Sequence, residues 1–127
     1  MRKALVIDDE QPTLFMFNLF LEAFGYEALT AENAADGIAL FNKERPPIVF
    51  TDIKMPGMDG LLALEKLKSI DPSVQVIVMT GHGDQDLMKQ AMELNATAFL
   101  HKPIEREELE KALAKAEDNL SQWDLNK

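Results

Sequence analysis

Short apolar runs, most of them rich in β-branched residues, alternate five times with longer stretches in which apolar positions recur every three or four residues. The first pattern is that of buried strands and the second that of amphipathic helices. Lys3 to Ile7 is the first strand candidate, followed by the acidic run Asp8-Asp9-Glu10 and by Pro12, a residue favoured in the first turn of a helix. That helix runs from about Pro12 to Phe24, and Gly25 suits a left-handed position at its end. Tyr26 to Thr30 is a second strand candidate. Asn33 is placed to cap a helix from Ala34 to about Lys43, which Pro46-Pro47 terminates. Ile48 to Asp52 is a short apolar run that delivers one carboxylate to a loop containing Pro56, Gly57 and Gly60. Leu61, Leu62, Leu64, Leu67 and Ile70 then recur at helical spacing until Asp71-Pro72. Val74 to Met79 is the fourth strand, and Asp84 can cap a helix carrying Leu87, Met88, Ala91, Met92 and Leu94. Ala98 to Leu100 is a short fifth strand. A last helix, from Glu105 to about Gln122, places Leu109, Ala112, Leu113 and Ala116 on one face.

Strands alternating with helices predict an α/β fold with a parallel sheet covered on both sides. Right-handed crossovers and short connections leave few topologies, of which the doubly wound order 2-1-3-4-5 is a common one. The carboxyl ends of all five strands then lie along one edge. Asp8 and Asp9 follow the first strand there, Asp52 ends the third, Thr80 follows the fourth and Lys102 the fifth.

The 127 residues are 46% hydrophobic and include no linker-like stretch, so one domain with one sizeable core is expected. Thirteen Lys and Arg against 22 Asp and Glu leave a net charge of −9, which argues against binding a phosphate backbone. There is no Cys, so disulfides and thiolate metal sites are excluded. No apolar stretch is long enough for a membrane span and no signal peptide is evident, so a cytoplasmic location is expected.

Three carboxylates within about 5 Å repel by roughly 3 kcal/mol per pair at an effective dielectric near 20, and a hard cation relieves that strain. Oxygen-only ligands favour Mg²⁺, which keeps waters and takes phosphate oxygens as further ligands. A carboxylate is also a nucleophile toward phosphorus. Transfer to Asp52 would need little beyond position and charge neutralisation, with Lys102 as a point charge and the Thr80 hydroxyl as a donor.

These residues resemble the receiver domain of two-component response regulators, over essentially the whole chain from Lys3 to about Ser121. The resemblance is carried by Asp8-Asp9, the motif from Asp52 to Gly60 (Asp-Ile-Lys-Met-Pro-Gly-Met-Asp-Gly), Met79-Thr80-Gly81-His82-Gly83, Phe99 and Lys102-Pro103. It implies a flavodoxin-like (βα)5 receiver domain over residues 1–122, with 123–127 as a tail or the start of a linker. It implies that Asp52 takes a phosphoryl group from a sensor histidine kinase or phosphotransfer protein, and that the domain catalyses its own phosphorylation and dephosphorylation without turning over an external substrate. Asp9, Asp52 and the backbone carbonyl of Lys54 would bind Mg²⁺ directly and Asp8 largely through water. Thr80 and Phe99 would form the switch, and the peptide before Pro103 would be cis. The segment Thr80 to Asp84 looks most like receivers of AAA-type transcriptional activators. An effector domain or target protein would receive the signal, the domain being a monomer or a phosphorylation-dependent dimer with no membrane or nucleic-acid partner of its own.

Two other readings use the same edge. A phosphohydrolase of the haloacid dehalogenase type would need an acid two residues after the nucleophile, where Lys54 stands, and a flavin-binding flavodoxin would need a phosphate-cradling first loop where the acidic run lies. Lys54 and His82, each two residues beyond a site residue, are expected to flank the path of water to the phosphoryl group and tune its lifetime. On a wheel at ~100° per residue, Thr13, Met16, Phe17, Phe20 and Phe24 form the core face of the first helix, which leaves Leu14 and Phe15 exposed beside Asn18. In the resembled family this helix lies against the kinase during transfer, so Leu14, Phe15 and Asn18 are the expected docking residues.

Overall fold

A computed structural model describes residues 2–54, 60–81 and 85–125. Ten elements follow one another in strict alternation: β1 (Arg2–Ile7), α1 (Gln11–Ala23), β2 (Tyr26–Ala31), α2 (Ala34–Glu44), β3 (Ile48–Asp52), α3 (Gly60–Ile70), β4 (Gln75–Thr80), α4 (Gln85–Glu93), β5 (Ala98–His101) and α5 (Arg106–Leu125). The strands form one parallel sheet in the order β2-β1-β3-β4-β5. This is the expected flavodoxin-like, doubly wound architecture.

The sheet is covered on both sides because its strands present apolar side chains to both. Ala4, Val6, Ile48, Phe50, Ile77, Met79 and Leu100 face α1 and α5, where they meet Phe17, Leu21, Leu109 and Leu113. Leu5, Ile7, Val49, Val76 and Val78 face the other way, onto Phe41 of α2, Leu64 and Leu67 of α3 and Ala91 of α4. Every residue of β3 and β4 is buried, as befits the middle of a parallel sheet. The Phe17 and Phe50 rings lie 5.0 Å apart, tying α1 to the centre. Burial of such large side chains stabilises by about 1.5–3 kcal/mol each. At the β2 edge the Tyr26 hydroxyl donates to Glu117 of α5; burial and this carboxylate push the phenol up to about 12.

Local signals in the sequence mark the boundaries. Asn33 Oδ1 accepts from Asp36 N at 2.8 Å and caps α2. Gly25, at φ +87°, turns the chain after α1 in a conformation open to glycine without a Cβ penalty. At the other end of α2 the left-handed position is taken by Arg45, at φ 49°, directly before Pro46-Pro47. Gly60 permits a close approach. A Cβ there would stand 2.5 Å from both Cα and the carbonyl oxygen of Ile53 and 2.7 Å from the carbonyl oxygen of Asp52. The Lys102–Pro103 peptide is cis, as the resemblance implied.

Two expectations need correction. Leu14 is in the core, only 6% exposed, and the buried stripe of α1 is Leu14, Phe17 and Leu21. The helix is apolar around most of its circumference, so spacing did not fix its phase, and packing against Val6 and Phe50 did. Phe15, at 67% exposure, and Asn18 are exposed as expected. The last helix does not stop near Gln122: α5 continues through Trp123 to Leu125, so residues expected in a tail are helical.

Candidate functional site

β1, β3 and β5 bring the acidic edge together because all three are parallel and end at the same level. Asp52 is the last residue of β3, and Asp8 is the first after β1, where its N–H donates to Ala31 O at 3.0 Å. Lys102 directly follows β5, and its N–H donates to Thr80 O at 2.8 Å, continuing the ladder by one rung. Asp8 and Asp52 are shaped alike. Asp8 Oδ1 accepts from Glu10 N at 2.8 Å and Asp52 Oδ1 from Lys54 N at 3.1 Å, so each carboxylate clasps the backbone two residues on. That leaves the second oxygen of each directed at Lys102.

The ammonium of Lys102 stands 2.8 Å from Asp8 Oδ2, 2.9 Å from Asp52 Oδ2 and 2.9 Å from Glu10 Oε1. Asp8 is fully buried and Asp52 nearly so, whereas Asp9 and Glu10 are exposed. Although Lys102 is close to Asp8 Oδ2, among the described residues no donor is aligned on that buried oxygen for a hydrogen bond. Burial pushes the Asp8 carboxyl above its ordinary range, more than Lys102 and the Glu10 N–H pull it back. Burial alone would pull the Lys102 ammonium down, but its contacts with Asp8, Glu10 and Asp52 outweigh burial and push it up. Glu10 is lowered by the same lysine.

One carboxylate oxygen each from Asp8, Asp9, Glu10 and Asp52 can be chosen so that all lie within 4.8 Å of one another. Four oxygen donors, one buried residue among them with an oxygen lacking an aligned donor, fit a hard divalent cation in charge and in ligand type. The acidic cluster could therefore hold a metal ion.

Thr80 ends β4, fully buried, one residue beyond Met79, which pairs with Asp52. Its hydroxyl lies 3.3 Å from His101 Nδ1 and 3.6 Å from Met88 Sδ, on the α4 side of the sheet. Phe99 stands two residues before His101 on the same strand, 38% exposed. Their rings meet edge to face with centroids 5.6 Å apart. The Lys54 side chain is exposed next to Asp52, and His82 lies outside the described residues. On α1, Phe15 and Asn18 flank a shallow surface cleft with Gln11, Thr30 and Glu32.

Glu10 and His101 are the site residues that sequence reasoning missed. Glu10 carried a signal as the third acid of the run after β1, and only the turn of that run shows it reaching Lys102. His101 carried one only through register, since it is the β5 partner of Thr80.

Comparisons with known proteins place the fold and the chain that carries this edge. The model of the family described as response regulator receiver domain matches residues 4–114. Sporulation initiation phosphotransferase F of Bacillus subtilis is 34% identical over 113 residues, 89% of this chain and 91% of that protein. The DNA-binding transcriptional regulator NtrC of Escherichia coli is 32% identical over 118 residues, 93% of this chain but 24% of its own length. The chain thus spans nearly all of one relative and about a quarter of the other. A solved response regulator receiver domain protein from Clostridium thermocellum superposes with a TM-score of 0.90 at 35% identity, each chain covered completely. Because the family match runs from β1 into α5, it takes in every side chain of the acidic edge, and the chain belongs to the response regulator receiver domain family of two-component systems.

Proposed function

We propose that Asp52 accepts a phosphoryl group from a histidine kinase or phosphotransfer protein, with Mg²⁺ beside it, and that the domain answers with a change of conformation. The observation that carries this reading is the setting of Asp52. It is a nearly buried carboxylate at a strand end, one oxygen held by Lys102 and the other by Lys54 N, next to three further acids. Asp9, Asp52 and the Lys54 carbonyl would hold Mg²⁺, with Asp8 acting through water. The metal would supply neutralisation of charge on the transferring group. Lys102 orients Asp52 for attack and offers its charge to a phosphoryl oxygen. Thr80 supplies a hydroxyl donor, and Phe99 follows its movement. The haloacid dehalogenase alternative gains no support from the comparisons.

Incubation with acetyl phosphate and Mg²⁺ should add the mass of one phosphoryl group, and trapping with borohydride should place it on the peptide containing Asp52. Omission of Mg²⁺ should prevent the addition. Modification elsewhere, or equal labelling of Asp52→Asn, would refute the assignment. Decay of the same label reads the lifetime that Lys54 and His82 are expected to tune.

Among the described residues no helix is long and apolar enough to cross a membrane. For the kinase-facing surface we retain Phe15 and Asn18, which are exposed, and not Leu14, which is buried. An apolar ring in the open beside the acidic edge suits a partner that supplies an apolar face of its own. Phe15→Arg should leave acetyl-phosphate labelling and melting temperature unchanged while slowing transfer from the cognate kinase about tenfold or more. Transfer at the wild-type rate would place docking elsewhere. The signal would pass onward to an effector domain or a separate target protein, the domain remaining a monomer or pairing on phosphorylation.

A further inference from the structure

The Thr80 hydroxyl is buried, and a buried donor costs free energy unless it finds an acceptor. Among the described residues it has two neighbours of unequal quality. Met88 Sδ, at 3.6 Å, is a thioether and a weak acceptor, whereas an unprotonated His101 Nδ1, at 3.3 Å, is a good one. The pairing is set by the sheet, because Thr80 and His101 are direct partners in the β4–β5 register and so project to the same side. Thr has a branched Cβ and few staggered positions, so a hydroxyl whose one proton goes to His101, with Met88 as the weaker alternative, must rotate about χ1 to engage anything else. His101 in turn contacts the Phe99 ring edge to face.

We propose that His101 is a positioning residue that holds the Thr80 hydroxyl in its resting orientation, so that engagement of a phosphoryl group on Asp52 breaks the Thr80–His101 contact and frees the imidazole against Phe99. This rests on the reading of Asp52 as phosphoacceptor and of Thr80 as the group that responds. The resting state is the one His101 stabilises. Removing its acceptor therefore weakens that state and favours engagement.

The test is the affinity of the wild type and variants for beryllofluoride, a phosphoryl mimic, in the presence of Mg²⁺. His101→Leu should bind the mimic about two- to tenfold more tightly, the fold-change that one neutral hydrogen bond supports. His101→Asn, which keeps an acceptor near the position of Nδ1, should stay within about twofold of wild type. In a Thr80→Val background, which lacks the hydroxyl, His101→Leu should change nothing, a coupling that a merely structural role would not produce. In the wild type the ¹⁵N resonance of His101 Nδ1 should move on binding the mimic. An equal effect of His101→Leu in both backgrounds, or no effect in the wild-type background, overturns the proposal. Failure of the wild type to bind the mimic overturns instead the reading of Asp52 on which it rests.

Discussion

Lys102→Met is expected to destabilise the metal-free domain by about 3 kcal/mol and to slow acetyl-phosphate labelling by about a hundredfold. The stability loss follows from what the ammonium neutralises. Asp8 is fully buried, Asp52 nearly so, and both point an oxygen at Nζ from under 3 Å. Methionine fills similar volume without charge, leaving two carboxylates in poor solvent contact without the ammonium that lies between them. Removing one partner of a buried pair costs about 3–5 kcal/mol, and the lower end applies because Lys102 is partly exposed and Glu10 is at the surface. Mg²⁺ should recover part of the loss and bind the variant more tightly than the wild type, since it neutralises the same oxygens without a competing ammonium. Urea titrations with and without Mg²⁺ measure both effects. A variant as stable as wild type in the absence of metal would show that Lys102 does not hold this cluster together.

Gly60→Val should be at least as damaging, by about 3 kcal/mol, or roughly 10 °C in melting temperature for a chain of this size. The new Cβ would meet backbone and not the tip of a side chain: Cα and the carbonyl oxygen of Ile53 at 2.5 Å, and the carbonyl oxygen of Asp52 at 2.7 Å. Neither neighbour is free to move. Gly60 N donates to Ile53 O at 3.1 Å, Ile53 N donates to Met79 O at 3.0 Å, and the Ile53 side chain is in the core. Any adjustment is therefore passed to Asp52, and labelling should fall along with stability. Gly37→Ala is the control. Its Cβ would press on Cδ1 and Cγ1 of the buried Ile7 side chain, the second at 2.7 Å, which can yield in part through χ2 as backbone cannot, so its cost should be about 1–2 kcal/mol. Comparable losses at the two glycines would refute the distinction between backbone and side-chain crowding.

How much of this was legible in the sequence depended on whether the information was local. β3 and β4 were readable because strands buried on both faces are continuous apolar runs; β3 ends at Asp52 as expected, and β4 runs one residue beyond the expected Met79, to Thr80. Asn33 was readable as a cap because capping involves only the next three residues. The phase of α1 was not readable. Leu14, Phe15, Met16, Phe17, Leu19, Phe20 and Leu21 leave almost no polar side to orient by, and only contact with the sheet selects Leu14 over Phe15. Topology alone brings Asp8, Asp52 and Lys102 into contact and Thr80 to the same edge, since parallel strands must end together, while the Thr80 hydroxyl itself lies against His101 and Met88. Glu10 and His101 required distances, one across a turn and the other across a pair of strands.

The place of β5 in the sheet separates two properties that are often measured as one. It is a four-residue edge strand, hydrogen-bonded on one side only, to β4, and Leu100 is its only buried residue. Elements with so little buried surface open locally at a fraction of the free energy needed to unfold the whole domain. Phe99 and His101 sit on this strand, so the rearrangement proposed for them would leave the β1–β3–β4 centre of the core intact. Thermal screening of variants would accordingly rank Phe17 or Phe50 as important and pass over Phe99 and His101, because melting reports the cooperative centre while the proposed switch lies at the margin.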